Sequence, residues 1–307
     1  MKSEPGAAFI SAPRILRART SDFLELTKPK LTSLVLFTTF VGFCAGIHKP
    51  IPLLLLHTLI GTALVSGGAS AFNMYKEQDI DVLMKRTSLR PLAAGRLRSG
   101  QVLVFALLIS VGGFVYLYGL VNHLTSLLSA SVFACYLFLY TPLKTRTWLS
   151  TLVGAVPGAL PIVMGWTAAN AHLSSGAWVL FAIVFLWQIP HFYAIGWMYR
   201  DEYARAGLPV LSVIDSSGQR TGRQAVLFIA ILMATSLLPS FIGLAGSAYR
   251  MGATVFGSVF LGYGIHFARS RDCLSARLLF LISAVYLPAL LLLLVFDKLA
   301  VWQVRGF

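Results

Sequence analysis

The residues best placed to do chemistry form a short row that begins at Asn73. Asn73, Glu77 and Asp81 are four residues apart in the string Asn-Met-Tyr-Lys-Glu-Gln-Asp-Ile-Asp. On a helix this spacing places three oxygen-bearing side chains along one stripe. Such a row suits Mg²⁺, which binds one or two carboxylates together with phosphate oxygens. The spacing therefore predicts a metal site made of Asn73, Glu77 and Asp81.

A basic loop follows this row directly. It reads Lys85-Arg-Thr-Ser-Leu-Arg-Pro91 and contains Arg86 and Arg90. Arginine forks match phosphate oxygens in geometry and charge. A solvated helix end with i,i+4 pairs, such as Asp81 with Lys85, would explain a lone acidic pair. The complete string instead favours a site for a metal and a diphosphate.

A second polar cluster surrounds Pro190-His191-Phe192 and continues to Asp201-Glu202. On a continuous helix Gln188, His191 and Glu202 share a face, because eleven residues make nearly three turns. His191 is then either a functional group or a hydrogen-bonded core residue, and the sequence leaves both interpretations open. Pro190 removes one backbone hydrogen bond and is expected to kink this helix.

These clusters require a membrane framework. The 307 residues are 57% hydrophobic and 12% charged, which excludes a soluble globular protein and a disordered chain. Spans need about 20 mostly apolar residues each. Nine are predicted, near Leu31–Ile47, Pro52–Tyr75, Val102–Val121, Leu124–Tyr140, Leu149–Thr167, Ala177–Tyr199, Ala225–Leu244, Gly252–Phe267 and Leu278–Phe296.

The charges predict how these spans are oriented. The net charge is +14, and with alternating spans 21 basic residues fall on the side of the N-terminus and 4 on the other. This asymmetry predicts that the N-terminus and both long loops are cytoplasmic, and it accounts for the charge without nucleic acid. The basic residues 1–25 resemble neither a signal peptide nor a transit peptide and are expected to form a cytoplasmic tail. Three dispersed cysteines predict neither a disulfide framework nor a zinc site.

The two long loops show a faint internal repeat. Pro91 precedes Ser99-Gly-Gln101 at the same distance at which Pro209 precedes Ser217-Gly-Gln219. This predicts a membrane domain, residues 26–300, with two related halves, 26–145 and 146–270, and a final span. Residues 301–307 are expected to form a short periplasmic tail. Repeats of this kind place a site between the halves.

Several strings together resemble the UbiA-type intramembrane prenyltransferases. The row from Asn73 to Asp81 with Arg86-Thr87 and Arg90-Pro91-Leu92 resembles the first aspartate-rich motif of that family. Other strings resemble its haem-modifying branch. They are Thr27-Lys-Pro-Lys-Leu31, Tyr140-Thr-Pro-Leu-Lys144, Gly158-Ala-Leu-Pro161, Gly165-Trp166, Trp187-Gln-Ile-Pro-His-Phe192, Glu202-Tyr203 and Gly207-Leu-Pro-Val-Leu211. The likeness runs from about Asp22 to the last span.

The resemblance implies an all-α membrane protein with nine helices in a ring-like bundle around a central cavity. It implies Mg²⁺-dependent transfer of a farnesyl group from farnesyl diphosphate to a vinyl group of haem b, with addition of water. The product would be haem O, made in the bacterial inner membrane for haem A and terminal oxidase biogenesis. Haem A synthase or oxidase assembly proteins are the expected protein partners.

The resemblance also assigns candidate residues. The catalytic candidates are Asn73, Glu77, Asp81, His191 and Glu202. The substrate-binding candidates are Arg86, Arg90, Tyr140, Lys144, Tyr199, Arg200, Asp201 and Arg205, with Arg200 and Arg205 facing haem propionates or serving only as topology charges. Phe72, Tyr140, Phe192 and Tyr193 are candidates to surround an allylic cation. Two departures from the family are Glu77 in place of Asp, and His191 with Asp201-Glu202 in place of a second DxxxD.

Three other functions are compatible with parts of this pattern. One is a UbiA-type enzyme acting on an aromatic or quinone-precursor acceptor, which the departures at the second cluster disfavour. Another is a secondary transporter, although transporters place coupling residues near the bilayer midplane and these acids lie at one face. The third is a haem-binding or assembly protein without catalysis, which would not need the Asn-Glu-Asp row.

Overall fold

Every regular secondary-structure element in the residues that the structure describes is a helix. This computed structural model describes residues 20–47, 49 and 51–305, and side chains only as far as Lys298. Within that part of the chain nine helices are long and apolar enough to cross a membrane. The predicted all-α fold with nine spans is therefore confirmed.

The spans are numbered 1 to 9 in chain order. Their bounds are Pro29–Gly46, Pro52–Lys76, Ser99–Leu120, His123–Leu143, Ser150–Asn170, Ser175–Met198, Gln219–Phe241, Ser247–Ser270 and Cys273–Lys298. Span 7 begins six residues before its predicted start, because Gly218 in a left-handed conformation and Asp215 complete the helix end before the apolar run begins. The helix of span 9 continues to Arg305, into the segment expected to be a tail.

Packing between spans closes them into a bundle. Consecutive spans contact each other from span 1 to span 9, span 6 also packs against span 9, and span 9 returns to span 1. Span 1 packs most closely on span 5. A Cβ atom at Gly42 would lie 1.9 Å from the carbonyl oxygen of Ile162, and one at Gly165 would lie 1.9 Å from that of Thr39. Only glycine lets these two backbones approach so closely.

A short helix, Thr20–Leu26, precedes span 1 and is joined to the loop after span 2. Arg96, in the long loop after span 2, forms ion pairs with the buried Asp22 and with Glu25, the latter at 2.7 Å. Residues 1–19 of the expected tail lie outside the described residues, and its last residues are helical. The entry to span 1 is thereby attached to the loop that follows the Asn-Glu-Asp row.

Candidate active site

The row predicted from the sequence lies at the end of span 2. Span 2 ends at Lys76, and a separate helical turn, Gln78–Asp81, follows. The Glu77 N–H still donates to the Asn73 carbonyl, and the Asp81 N–H to the Glu77 carbonyl, both at 2.9 Å. Because the i,i+4 pattern survives the break, the three side chains keep one face. They are 2%, 4% and 1% exposed, respectively, and carboxylates such as Glu77 and Asp81 are rarely buried so completely unless a cation pairs with them.

Each of these three side chains accepts a hydrogen bond from one basic side chain. The Lys28 ammonium donates to Asn73 Oδ1 at 2.7 Å, and Lys144 donates to Glu77 Oε1 at 3.0 Å. One Arg90 nitrogen donates to both carboxylate oxygens of Asp81 at 2.7 Å. The row therefore holds three buried oxygen ligands, and each of them lies against one basic side chain.

Burial and charge both shift the protonation equilibria of this row. Burial alone would raise the pKa of Glu77, but the charges of Lys144 and Lys28 outweigh it and hold that pKa below its usual range. Burial raises the pKa of Asp81 in spite of Arg90. Burial, reinforced by the charge of Arg90, lowers the pKa of Lys28 to about 7. Strongly perturbed groups gathered at one place are typical of functional sites.

Lys28 is a site residue that the sequence reasoning missed. It has φ 47° and ψ 66°, a left-handed conformation, although Pro29 follows it. A residue before proline normally prefers extended backbone, and a left-handed residue other than glycine costs about 1–2 kcal/mol. Such strain is typical of functional positions. The signal in the sequence was a lysine directly before the proline that starts span 1.

An apolar cavity of about 340 Å³ lies inside the bundle, and it meets the row through Lys144, which lines the cavity and donates to Glu77. Spans 1, 2, 4, 5 and 6 form its walls. Representative lining residues are Val65, Tyr136, Tyr140, Gly158, Gln188 and Phe192. Lys144 and Arg86 lie at its polar end. The cavity can therefore hold an apolar chain whose charged end meets the cations of the row.

The two long loops meet at this polar end. Arg86, from the loop after span 2, donates to the Tyr203 hydroxyl at 3.3 Å. Its guanidinium lies 5.3 Å from the ring centre of Tyr199. Tyr203 lines the cavity and was also missed, because its position depends on how the second loop folds back. Of the cation-surrounding candidates, Tyr140, Phe192 and Tyr193 line the cavity, whereas Phe72 packs against Tyr75 and Phe133.

Five candidates of the second cluster lie outside the cavity lining: Tyr199, Arg200, Asp201, Glu202 and Arg205. Asp201 is 92% exposed, Arg205 is exposed, and Glu202 is only partly buried. Arg200 stacks over Trp197, with 4.9 Å between guanidinium and ring centre. The expected shared face is wrong here because span 6 ends at Met198 and Tyr199 leaves helical geometry, with φ −112° and ψ 20°. Residues 200–205 then form a separate short helix.

His191 also departs from the expected face. Its Nδ1 is 2.7 Å from Ser283 Oγ on span 9, and its ring stacks on Trp187 with centroids 4.9 Å apart. Gln188, by contrast, lines the cavity. Three helical residues turn about 300°, so His191 lies about 60° from Gln188, enough to turn it to the neighbouring span. Its predicted role toward the acceptor stays a prediction.

The donor set of the row fits a magnesium ion. Two carboxylates and one amide oxygen are the hard ligands that Mg²⁺ accepts, with phosphate oxygens completing its shell. Among the described residues no group of three His, Cys, Asp or Glu side chains is arranged to hold a metal alone. Any ion bound here would therefore depend on Asn73 or on oxygens from a substrate.

Comparison with known proteins identifies the family. The pattern of the UbiA prenyltransferase family matches residues 35–287. This chain belongs to the UbiA prenyltransferase family. It is thus a membrane prenyltransferase, as the resemblance predicted, and the transporter alternative is not favoured.

Curated relatives indicate which branch of the UbiA family this chain resembles most. A protoheme IX farnesyltransferase of Solibacter usitatus is 45% identical over 90% of this chain and 98% of its own length. A protoheme IX farnesyltransferase of Koribacter versatilis is 39% identical over 90% of this chain and 93% of its own length. These relatives agree with the branch that the second-cluster strings indicated, and not with a quinone-precursor enzyme.

Solved structures share the UbiA fold. A digeranylgeranylglyceryl phosphate synthase superposes with a TM-score of 0.77 at 13% identity, covering 91% of this chain and 98% of that one. A UbiA homolog from Archaeoglobus fulgidus, bound to GPP and Mg²⁺, superposes with a TM-score of 0.66 at 15% identity, covering 89% and 99%. At these identities the likeness supports the architecture of the nine-span bundle.

Proposed function

We propose that this UbiA-family protein transfers the farnesyl group of farnesyl diphosphate to a vinyl group of haem b. Water adds to the product, which is haem O, and diphosphate is released. The observation that carries the proposal is the buried Asn73-Glu77-Asp81 row, which Lys144 connects to an apolar cavity. The names of the curated relatives support haem b as the acceptor.

The cations of the row suit the leaving group. Lys28, Arg90 and Lys144 already donate to oxygen atoms, and Arg86 lines the cavity together with Lys144. When the substrate binds, diphosphate oxygens would replace the present oxygen acceptors of these three side chains. The negative charge of the diphosphate would therefore enter a place where positive partners already lie. Preorganised donors aimed at developing negative charge usually make the largest contribution to catalysis.

We propose that Asn73, Glu77 and Asp81 hold Mg²⁺ together with the diphosphate. When bound, the metal would supply Lewis-acid stabilisation of the charge that grows on the departing oxygen. The protein's own residues do the remaining work. Lys144 and Arg90 neutralise the diphosphate, while the apolar walls keep water from the farnesyl chain.

The experiment that tests this proposal uses purified protein with farnesyl diphosphate, haem b and Mg²⁺. The wild type is expected to convert haem b into a more hydrophobic haem, separable by chromatography. Glu77→Gln and Asp81→Asn should each lower turnover by about 100-fold or more, since each removes a ligand charge. Asp79→Asn is the matched control, because Asp79 lies between them in the chain but is exposed.

Full turnover in Glu77→Gln or Asp81→Asn would contradict the metal assignment. A wild type that uses the donor only with an aromatic quinone precursor would contradict the acceptor. Parallel reactions with geranyl and geranylgeranyl diphosphate measure chain-length preference.

We further propose that the row faces the cytoplasm across a bacterial inner membrane. The asymmetry of 21 basic residues to 4 supports this orientation. Haem A synthase or oxidase assembly proteins, which would use haem O, are the protein partners consistent with this placement.

Cys273 offers a test of the orientation. It is exposed, on the side that holds the row, and the only other cysteines are Cys44 and Cys135. With both replaced by alanine, a membrane-impermeant maleimide should label Cys273 in inside-out vesicles and not in right-side-out vesicles. Cys273→Ser gives the unlabelled control, and the reverse pattern would invert the topology.

A further inference from the structure

Span 4 changes its helical form beside the cavity. Residues Cys135–Tyr140 form a π-helical turn between the α-helix His123–Ala134 and the short helix Thr141–Leu143. The Thr141 N–H donates to the Tyr136 carbonyl, five residues earlier. Turns of this kind are rare and occur frequently at functional sites.

Local residues stabilise this wide turn. Pro142 has no N–H, so the carbonyl of Leu137, five residues before it, has lost its π-helical donor. Lys76 supplies one, since its ammonium donates to the Leu137 oxygen at 3.2 Å. The Thr141 hydroxyl donates to the Tyr136 oxygen at 2.8 Å. Asn73 Nδ2 in turn donates to the Thr141 hydroxyl at 3.4 Å, which links the turn to the Asn-Glu-Asp row.

The turn brings two tyrosine rings face to face. The rings of Tyr136 and Tyr140 have centroids 5.5 Å apart and planes at 16°, and both line the cavity. Lys144, which bonds Glu77, lies one turn beyond Tyr140. From the charged end inward, the wall therefore presents a cation, the Tyr140 ring and then the Tyr136 ring.

We infer that Tyr136 is a further catalytic residue, placed by the π-helical turn so that its ring and that of Tyr140 stabilise the allylic cation. The inference rests on the proposed function. When the C1–O bond of the donor breaks, its electron pair leaves with the diphosphate, and the positive charge is shared between C1 and C3. Stacking covers one face of each ring, so each ring keeps one negative face free for a cation in the cavity that both rings line. The vinyl electrons then form the new C–C bond, and water adds to the resulting cation and releases a proton.

The test replaces Tyr136 by leucine and by phenylalanines that carry zero, one, two or three fluorine atoms. Phenylalanine should keep kcat within about two-fold, because it keeps the ring. Leucine should lower kcat about ten-fold with an unchanged KM for farnesyl diphosphate, because the cation exists only after ionisation. Successive fluorines weaken the negative face, so log kcat should fall with each one.

The same fluorinated series at Phe133 is the matched control. Phe133 lies one turn earlier on span 4 and packs edge-on against Phe72 and Phe114. Its series should leave kcat unchanged. If the wild type turns over haem b, two results would overturn this inference alone. One is a kcat that stays constant across the fluorinated series at position 136, and the other is full activity of Tyr136→Leu. A wild type inactive with haem b would overturn the proposed function and this inference with it.

Discussion

At the scale of single residues, the site matches each buried oxygen ligand with one cation. Lys28, Lys144 and Arg90 contact Asn73, Glu77 and Asp81, respectively. Removing one member of such a pair leaves its partner buried without compensation, which costs more than the interaction itself contributes. The pairing also keeps the cations in place for a diphosphate before any substrate arrives.

Lys28→Met tests this arrangement. We expect the KM for farnesyl diphosphate to rise about ten-fold or more, since a hydrogen bond from a charged group contributes about 1.5–3 kcal/mol. Steady-state kinetics with haem b at saturation measure it. Lys30→Met is the control, because Lys30 lies two residues further on but is exposed. An unchanged KM in Lys28→Met would remove Lys28 from the site.

At the scale of elements, the cavity depends on how closely span 1 meets span 5. Gly42 and Gly165 let the two backbones touch, and Val35 on span 1 and Pro161 on span 5 line the cavity. Without water in the bilayer to drive apolar contact, such close packing is a main source of helix association. The wall of the cavity is thus built by residues that do no chemistry.

Gly165→Ala should therefore destabilise the protein. Its Cβ would meet the Thr39 carbonyl oxygen at 1.9 Å, and a backbone atom cannot move aside as a side chain can. We expect a loss of about 3 kcal/mol or more, seen as a lower midpoint of thermal unfolding in detergent. Gly119→Ala is the control, because a Cβ there would have nothing within 4 Å. Equal midpoints for the two variants would contradict the close contact.

At the scale of the whole molecule, span 9 closes the bundle against span 1. The Lys298 ammonium donates to the carbonyl oxygens of Cys44 and Ile47 at 3.2 and 3.1 Å, and also to that of Ala45. These carbonyls lie at the end of span 1, where a helix lacks internal donors and a positive charge is favourable. The division into halves 26–145 and 146–270 stays a prediction, although their two long loops meet at Arg86 and Tyr203.

Lys298→Met tests this closure. The unfolding free energy should fall by about 2 kcal/mol, because several hydrogen bonds from one charged group are lost. The KM values should stay unchanged, because this contact lies at the membrane face opposite the row. Lys49→Met serves as the comparison, since Lys49 is exposed in the same region. A raised KM with normal thermal stability would argue against a purely structural contact.

Sequence alone determined what depends on neighbours along the chain. Runs of about 20 apolar residues fixed nine spans, because an unpaired backbone in the bilayer must become helix. The spacing of Asn73, Glu77 and Asp81 fixed one face, because the backbone hydrogen bonds between them remain i,i+4. The same reasoning failed for Glu202, because span 6 ends at Met198. It failed for His191 because a rotation of about 60° from Gln188 turns its side chain toward a different neighbouring span.

Only the tertiary structure decided which distant groups meet. Lys28 reaches Asn73 across 45 residues, and Lys144 reaches Glu77 across 67. The π-helical turn that contains Tyr136 is stabilised by Lys76 of another span, which donates to the carbonyl that Pro142 leaves without a donor. Burial at the junction of several spans turns such contacts into strong electrostatic interactions, and no local pattern of residues records which spans will enclose them.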